Sequence, residues 1–274
     1  MHDPFVYVNH DFVPAPRATV SVSDLSIQRG YGIFDFMKTI DNRPIFVDEH
    51  LDRLLHSARQ LRLDAGLSKE NLYTIIGKLI EVNNIPLSGI KLTLTGGDSS
   101  DGYTLSKPNL IITQMPLQLP LPEIYEKGIR LVSYPHIRQM PETKTIDYLM
   151  AVWLQPYIKE HNADDVLYQR DGLVSECPRS NFFIVTKDDV VVTPADNILK
   201  GVIRGKVLEL ASRQFKVETR PVSLDEIFSA QEAFITSTTK HALSVVALDG
   251  RLIGEGRPGK ISAWVNEKLQ MLIS

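Results

Sequence analysis

Met140-Pro-Glu-Thr-Lys144-Thr-Ile-Asp-Tyr148-Leu149 and Val174-Ser-Glu176-Cys-Pro-Arg179-Ser-Asn-Phe182 are the stretches on which the fold turns. The first places Lys144 between a predicted strand near residue 131 and a predicted helix beginning near 147. A lysine on such a junction, once desolvated, can lose its proton and become an imine-forming nucleophile. Taken alone, any one lysine is a solvated surface charge. Glu176, on a strand or turn, would ordinarily be an exposed carboxylate.

Around these stretches the sequence is strand-rich. Apolar runs fall at 129–133, 165–169, 182–186, 190–193, 234–236 and 243–248, and Asp171-Gly172 and Asp249-Gly250 are hairpin turns. Helices are expected over about 147–161, 202–214 and 260–272. Upstream lies Met115-Pro-Leu-Gln-Leu-Pro-Leu-Pro-Glu123, whose prolines disfavour continued helix or central strand and mark a linker. Before it, Phe5 to Pro14 reads as a hairpin turning at Asn9-His10-Asp11. Asp48 is expected to cap a helix with Leu51, Leu54, Leu55, Ala58 and Leu61 on one face. Ser68 opens a second helix with Leu72, Ile75, Ile76, Leu79 and Ile80 as its stripe. Strands at 90–95 and 109–114 flank the Gly- and Ser-rich 96–102. The expected organisation is a small α/β domain at 1–114, a linker at 115–123, and a larger α+β domain at 124–274, with no internal repeat.

The 274 residues are 43% hydrophobic, enough for a sizeable core. Thirty basic residues against 33 acidic ones, net −3, leave no strong field for nucleic acid or an acidic membrane. One cysteine, Cys177, excludes an internal disulfide framework and reads as a buried structural thiol. No apolar run approaches the ~20 residues of a membrane span. Met1-His-Asp-Pro lacks the basic start and apolar stretch of a signal peptide, so a cytoplasmic protein is expected. The seven histidines form no ligand cluster, so no metal site is expected. Gly254-Glu-Gly-Arg-Pro-Gly-Lys-Ile261 has the spacing Gly-x-Gly-x-x-Gly, but Ile261 stands where a phosphate loop needs Ser or Thr. Too little chain follows for a dinucleotide-binding unit, so the segment reads as a hairpin-to-helix loop. No Gly-x-Ser-x-Gly elbow is present.

From Arg29-Gly-Tyr-Gly-Ile-Phe-Asp35 to Asp249-Gly-Arg-Leu-Ile-Gly-Glu-Gly-Arg-Pro-Gly259, the order of motifs resembles the fold-type IV, class IV aminotransferases that depend on pyridoxal 5'-phosphate. The family includes D-amino-acid aminotransferase, branched-chain aminotransferase and aminodeoxychorismate lyase. The resemblance implies a small N-terminal α/β domain, a larger C-terminal pseudo-barrel domain and a homodimer. It also assigns roles. Lys144 matches the lysine that holds the cofactor covalently. Arg53, in Glu49-His-Leu-Asp-Arg-Leu54, matches the phosphate arginine, and Glu176 the carboxylate facing the pyridine nitrogen. Gly201-Val202-Ile203-Arg204 matches the helix-opening turn whose backbone N–H groups reach the phosphate. Ser237 and Thr238, in Thr236-Ser-Thr-Thr239, fall on phosphate-contacting positions. Tyr148 lies near the tyrosine that branched-chain enzymes place beside the cofactor. The chemistry suits these residues: an arginine fork, hydroxyls and a helix N-terminus match a phosphate dianion. A carboxylate at the ring nitrogen favours the protonated ring, an electron sink.

The sequence departs from the family in places. Ile203 replaces a threonine, Phe34 replaces the tyrosine of D-amino-acid enzymes, and Thr95 to Tyr103 lacks their Arg-x-His carboxylate trap. Asp101 falls near the arginine position of that trap. Arg179 and Arg29 are the candidate substrate-carboxylate partners, since a guanidinium matches a carboxylate bidentately. Two such anchors suit 2-oxoglutarate or glutamate. With the Lys144-Thr-Ile-Asp147 spacing they favour a transaminase for D-amino acids such as D-glutamate or D-alanine. The alternatives are an L-branched-chain aminotransferase and an aminodeoxychorismate lyase.

Overall fold

The computed structural model describes residues 3–64 and 66–273, so Met1 and His2 of the N-terminal stretch lie outside it. The chain divides into two compact units. Unit 1 comprises residues 1–118 together with Thr143–Asp147, and unit 2 comprises Leu119–Glu142 and Tyr148–Ser274.

Unit 1 runs β1 (Phe5–Val8), β2 (Asp11–Pro14), α1 (Leu25–Arg29), β3 (Gly32–Ile40), β4 (Arg43–Pro44), α2 (Val47–Gln60), α3 (Lys69–Asn83), β5 (Ser88–Thr95) and β6 (Leu110–Pro116). Its six strands form an antiparallel sheet ordered β2-β1-β6-β5-β3-β4. The two long helices supply the apolar stripes read above. Leu51, Leu54, Ala58, Leu72, Ile76 and Leu79 pack with Ile33, Met37, Ile90, Leu92 and Ile112 in one core. Helix α2 starts earlier than expected: Phe46 occupies the cap in a left-handed conformation without a side-chain bond. Asp48 and Glu49 instead lie in the first turn, where the helix dipole favours acidic side chains. Ser68 does cap α3, in a reciprocal box with Asn71.

Unit 2 runs α4 (Pro122–Lys127), β7 (Ile129–Pro135), α5 (Leu149–Trp153), α6 (Gln155–Glu160), β8 (Asp165–Arg170), β9 (Leu173–Val174), β10 (Glu176–Cys177), β11 (Ser180–Val185), β12 (Val191–Thr193), α7 (Val202–Ala211), β13 (Val217–Thr219), β14 (Val222–Ser223), α8 (Leu224–Ser229), β15 (Glu232–Ser237), β16 (His241–Leu248), β17 (Arg251–Leu252) and α9 (Lys260–Met271). These strands make an eleven-stranded mixed sheet that curls into a half-barrel. Strands β11, β15 and β16 are buried almost throughout, and their near-continuous apolar character is the pattern of strands covered on both faces. Cys177 is buried in this core, and burial pushes its thiol pKa up.

Two expectations are corrected. The single helix at 147–161 is two, α5 and α6, because Pro156 cannot donate to the carbonyl four residues back and opens a new first turn. The proline-rich segment is also shorter than its composition suggests. Met115 and Pro116 extend β6, and Pro122 begins α4 with its φ already set for a first helical turn.

Candidate active site

In unit 1, Lys144 lies on a short strap against β3. Its carbonyl accepts the Phe34 N–H at 2.9 Å, and Ile146 N–H donates to the Gly32 carbonyl at 3.0 Å. Lys144 N–H donates to Ser57 Oγ on α2 at 3.2 Å. The neighbouring backbone of β5, with the strap beyond it, leaves no room for a side chain at position 32. A Cβ there would meet the Leu94 carbonyl oxygen at 2.9 Å and Ile146 Cδ1 at 3.1 Å. The backbone of Lys144 is thus fixed while its side chain is half-buried, with Nζ 4.6 Å from the centre of the Phe34 ring. Lys91 Nζ lies 5.1 Å from the same ring. Phe34 therefore presents its electron-rich face to two ammonium groups.

Behind this strap, α2 carries a polar stripe. His50, Arg53 and Ser57 recur at helical spacing inside an otherwise apolar face. Arg53 Nε and Nη2 donate to Asp35 at 2.7 and 2.8 Å, and His50 Nδ1 meets the same carboxylate at 2.7 Å. Burial alone would raise the Asp35 pKa, but the Arg53 charge and the surrounding donors hold it well below the usual carboxylate range. Burial lowers the pKa of His50, and the nearby charges of Arg53 and Lys144 add to that, against the pull of Asp35. A neutral His50 donates from Nδ1, leaving Nε2 a buried acceptor without a partner.

A pH dependence follows from that histidine. Its folded pKa is depressed, so below about 6.5 the unfolded chain takes up a proton that the folded chain refuses. Stability should therefore fall with decreasing pH, at up to about 1.4 kcal/mol per unit, until His50 titrates in the folded state. Denaturant midpoints between pH 7.5 and 5.5 measure this. His50→Gln should flatten the slope, and an unaltered slope would rule out the assignment.

In unit 2, Glu176 opens a tight hairpin between β10 and β11 and is buried. Arg138 grips its Oε1 through Nε at 2.8 Å and Nη2 at 2.7 Å. Oε2 accepts the Leu199 N–H at 3.0 Å and an Asn181 amide proton at 3.3 Å. Four donors, two of them from the Arg138 guanidinium, converge on this carboxylate. Asn181 also donates to the Leu199 carbonyl at 2.7 Å and presses on Gly201, where a Cβ would meet its Oδ1 at 2.1 Å. Gly201 is the N-cap of α7 and provides no side-chain cap, so the N–H groups that open the helix, those of Val202 and Ile203, have no intrahelical acceptor. Across the sheet Asn181 pairs with Thr236, whose buried Oγ1 has no partner among the described residues. Ser237 and Thr238 follow, half-buried, with Ser237 Oγ accepting the Lys240 N–H at 3.2 Å.

The remaining predicted residues lie as follows. Tyr148 caps α5 and is half-buried. Arg179 is exposed in the β10–β11 turn, and none of its donors is occupied by a hydrogen bond or ion pair among the described residues. Arg29 ends α1, exposed, with one donor to the Gln28 carbonyl at 2.9 Å. Asp101 accepts from Ser99 Oγ, from the Tyr103 and Thr104 N–H groups and from the Thr104 hydroxyl, knotting its own loop. Sequence reasoning missed Arg138, Asp35 and His50 as parts of the site. His50 stands inside the Glu49-to-Leu54 motif quoted above, where its neighbour Arg53 was the signal. Nothing in the sequence links Arg138 to Glu176.

The model of the amino-transferase class IV family matches residues 32–248. The chain is a class IV aminotransferase. A Methanocaldococcus jannaschii protein assigned by name to the branched-chain-amino-acid aminotransferases is 31% identical to it, over 97% of this chain and 95% of that protein. The D-alanine aminotransferase of Bacillus licheniformis is 28% identical, over 97% and 95%. Among solved structures, the branched-chain amino acid aminotransferase of Escherichia coli aligns with a TM-score of 0.92 at 24% identity, over 100% of this chain and 95% of that one. That likeness shows the shared type IV fold.

Class IV aminotransferases use pyridoxal 5'-phosphate, which is therefore the cofactor of this class IV aminotransferase. Each unit by itself offers donors suited to that group: in unit 2 the α7 N-terminus is uncapped and the Thr236 hydroxyl is buried without a partner among the described residues, and in unit 1 Arg53 Nη1 takes no part in the fork to Asp35. A phosphate dianion accepts from such donors. Among the described residues no helix is long and apolar enough to cross a membrane.

Proposed function

We propose that the chain transfers an amino group between a D-amino acid, such as D-glutamate or D-alanine, and a 2-oxo acid such as 2-oxoglutarate. Lys144 is read as the residue that would hold the cofactor covalently and, once released, would take up and return the proton at the substrate Cα. Pyridoxal phosphate, when bound, supplies the sink for the electron pair of the broken Cα–H bond. By the family resemblance, Glu176 would favour the protonated ring nitrogen, Arg53, Val202, Ile203, Ser237 and Thr238 would take the phosphate, and Tyr148 would flank the cofactor. Arg179 and Arg29 receive substrate carboxylates. The resemblance adds a homodimer working in the cytoplasm.

The observation that carries the acceptor class is Arg179, whose exposed guanidinium is unoccupied at a turn three residues beyond Glu176. D-specificity draws support from the Lys144-Thr-Ile-Asp147 spacing and from the D-alanine aminotransferase likeness. The 31% relative supports a second reading, an L-branched-chain aminotransferase. A half-reaction screen separates them: D-glutamate, D-alanine and L-leucine are added to the holoenzyme while cofactor absorbance is followed. Conversion by the D-amino acids, reversed by 2-oxoglutarate, is expected. Conversion by L-leucine alone would sink the D-specific reading, and pyruvate release from aminodeoxychorismate without an acceptor would assign the lyase. Arg179→Ala should raise the KM for 2-oxoglutarate about tenfold or more, the value of a charge-assisted bond, while cofactor content is kept.

A further inference from the structure

Asp35 is a fully buried carboxylate with no part in the roles assigned above. It points from β3 toward α2, on the face opposite Phe34 and Phe36, because side chains alternate along a strand. Its Oδ1 accepts from the Phe36 N–H at 2.7 Å, His50 Nδ1 at 2.7 Å and Arg53 Nη2 at 2.8 Å, and its Oδ2 accepts from Arg53 Nε at 2.7 Å. The Arg53 side chain is 12% exposed, so little of it remains in water.

Charge alone does not explain this carboxylate. An anion behind a phosphate arginine cancels the field of that arginine and repels the dianion it is to hold. Orientation does explain it. An arginine side chain is rotamer-rich, and a guanidinium free to turn must be ordered when phosphate arrives. Here a planar fork is gripped on two of its three nitrogens, so that ordering is complete before any ligand binds. His50, packed on the same oxygen, stops the carboxylate from turning.

We propose that Asp35, backed by His50, is a positioning residue for Arg53: by occupying Nε and Nη2, it presents Nη1 alone to the cofactor phosphate. The proposal rests on the reading of Arg53 as the phosphate arginine.

The two effects have opposite signs, which makes them separable. Apoprotein in phosphate-free buffer is titrated with pyridoxal 5'-phosphate and with pyridoxal, and the dissociation constant for pyridoxal divided by that for pyridoxal 5'-phosphate reports what the phosphate contributes. In Asp35→Asn the ratio should fall about tenfold or more, roughly 1.4 kcal/mol. Loss of negative charge by itself would raise it. A rise, or no change, in a folded Asp35→Asn variant overturns the proposal. A purely structural role would weaken both ligands equally and leave the ratio unmoved. Should Asp35→Asn not fold, Asp35→Glu keeps the charge and displaces the fork by one methylene; the same fall is expected, and an unchanged ratio overturns the proposal. Arg53→Gln distinguishes the underlying reading. A wild-type ratio in that variant overturns the phosphate role and the positioning proposal with it. A collapsed ratio there beside an unmoved one in Asp35→Asn overturns positioning alone.

Discussion

Replacing Lys144 by alanine should abolish transamination and leave no site at which the cofactor can be fixed to the chain. Removal of a positioned general acid–base group alone costs about 10²–10⁴-fold in rate. Here the same ammonium is also the proposed point of covalent attachment, so loss to background is expected. Borohydride reduction followed by mass spectrometry checks this directly: the wild-type chain should gain one cofactor, on the peptide containing Lys144, and Lys144→Ala none. A folded Lys144→Ala that still traps cofactor, or still turns over, would assign the chemistry to another lysine. Lys91 would be the first to test, since its ammonium faces the same Phe34 ring. Backbone rigidity does not separate the two: Lys144 is held by Phe34 and Ser57, and Lys91 lies in β5, paired with β3 and β6 on either side. The motif around Lys144 is what favours it.

The two positions show how far sequence reaches. Period 3.6 apolar spacing made α2 and α3 legible, and Asp171-Gly172 and Asp249-Gly250 do turn hairpins, since a short β-turn needs residues that tolerate positive φ. Lys144, Glu176 and Arg53 were singled out through the motifs around them. What those side chains bond to was not legible. Asp35 lies 18 residues before Arg53 on another element, and Arg138 lies 38 residues before Glu176. Each pairing exists only because a strand and a helix, or a loop and a hairpin, meet in three dimensions. Helix ends were misplaced for a local reason: a left-handed Phe46 can open α2 without a capping side chain, and no propensity rule anticipates that. Asp101, placed by the sequence near the arginine position of the carboxylate trap, accepts four hydrogen bonds within its own loop, which stabilise its charge. Arg29 and Arg179 were singled out only for their guanidinium groups. Both are exposed, the state of most surface arginines, so only binding data separate their roles from that background.

The Arg138–Glu176 pair should give the largest stability effects in unit 2, and a characteristic non-additivity. The side chains are only 14% and 5% exposed, so neither charge can return to water without a local opening. Arg138→Met takes the guanidinium away from a buried carboxylate that keeps the Leu199 N–H and the Asn181 amide. Breaking one partner of such a pair typically costs about 3–5 kcal/mol. Glu176→Gln conversely strands the guanidinium, relieved in part by the Pro141 carbonyl that Arg138 also reaches. The double variant removes both charges at once and should be less destabilised than the two single losses combined, by about 1.5 kcal/mol or more. Urea denaturation of the apoproteins measures the cycle; strictly additive losses would show that the pair is not coupled as drawn. Function should follow the same logic. Without Arg138 beside it, a buried carboxylate favours its protonated form. On the proposed reading of Glu176 as the partner of the ring nitrogen, a neutral Glu176 would no longer support positive charge there, so the half-reaction should slow in Arg138→Met, most of all at low pH. Equal rates at pH 6 and pH 8 in that variant would separate the stability role of the pair from any role in the chemistry.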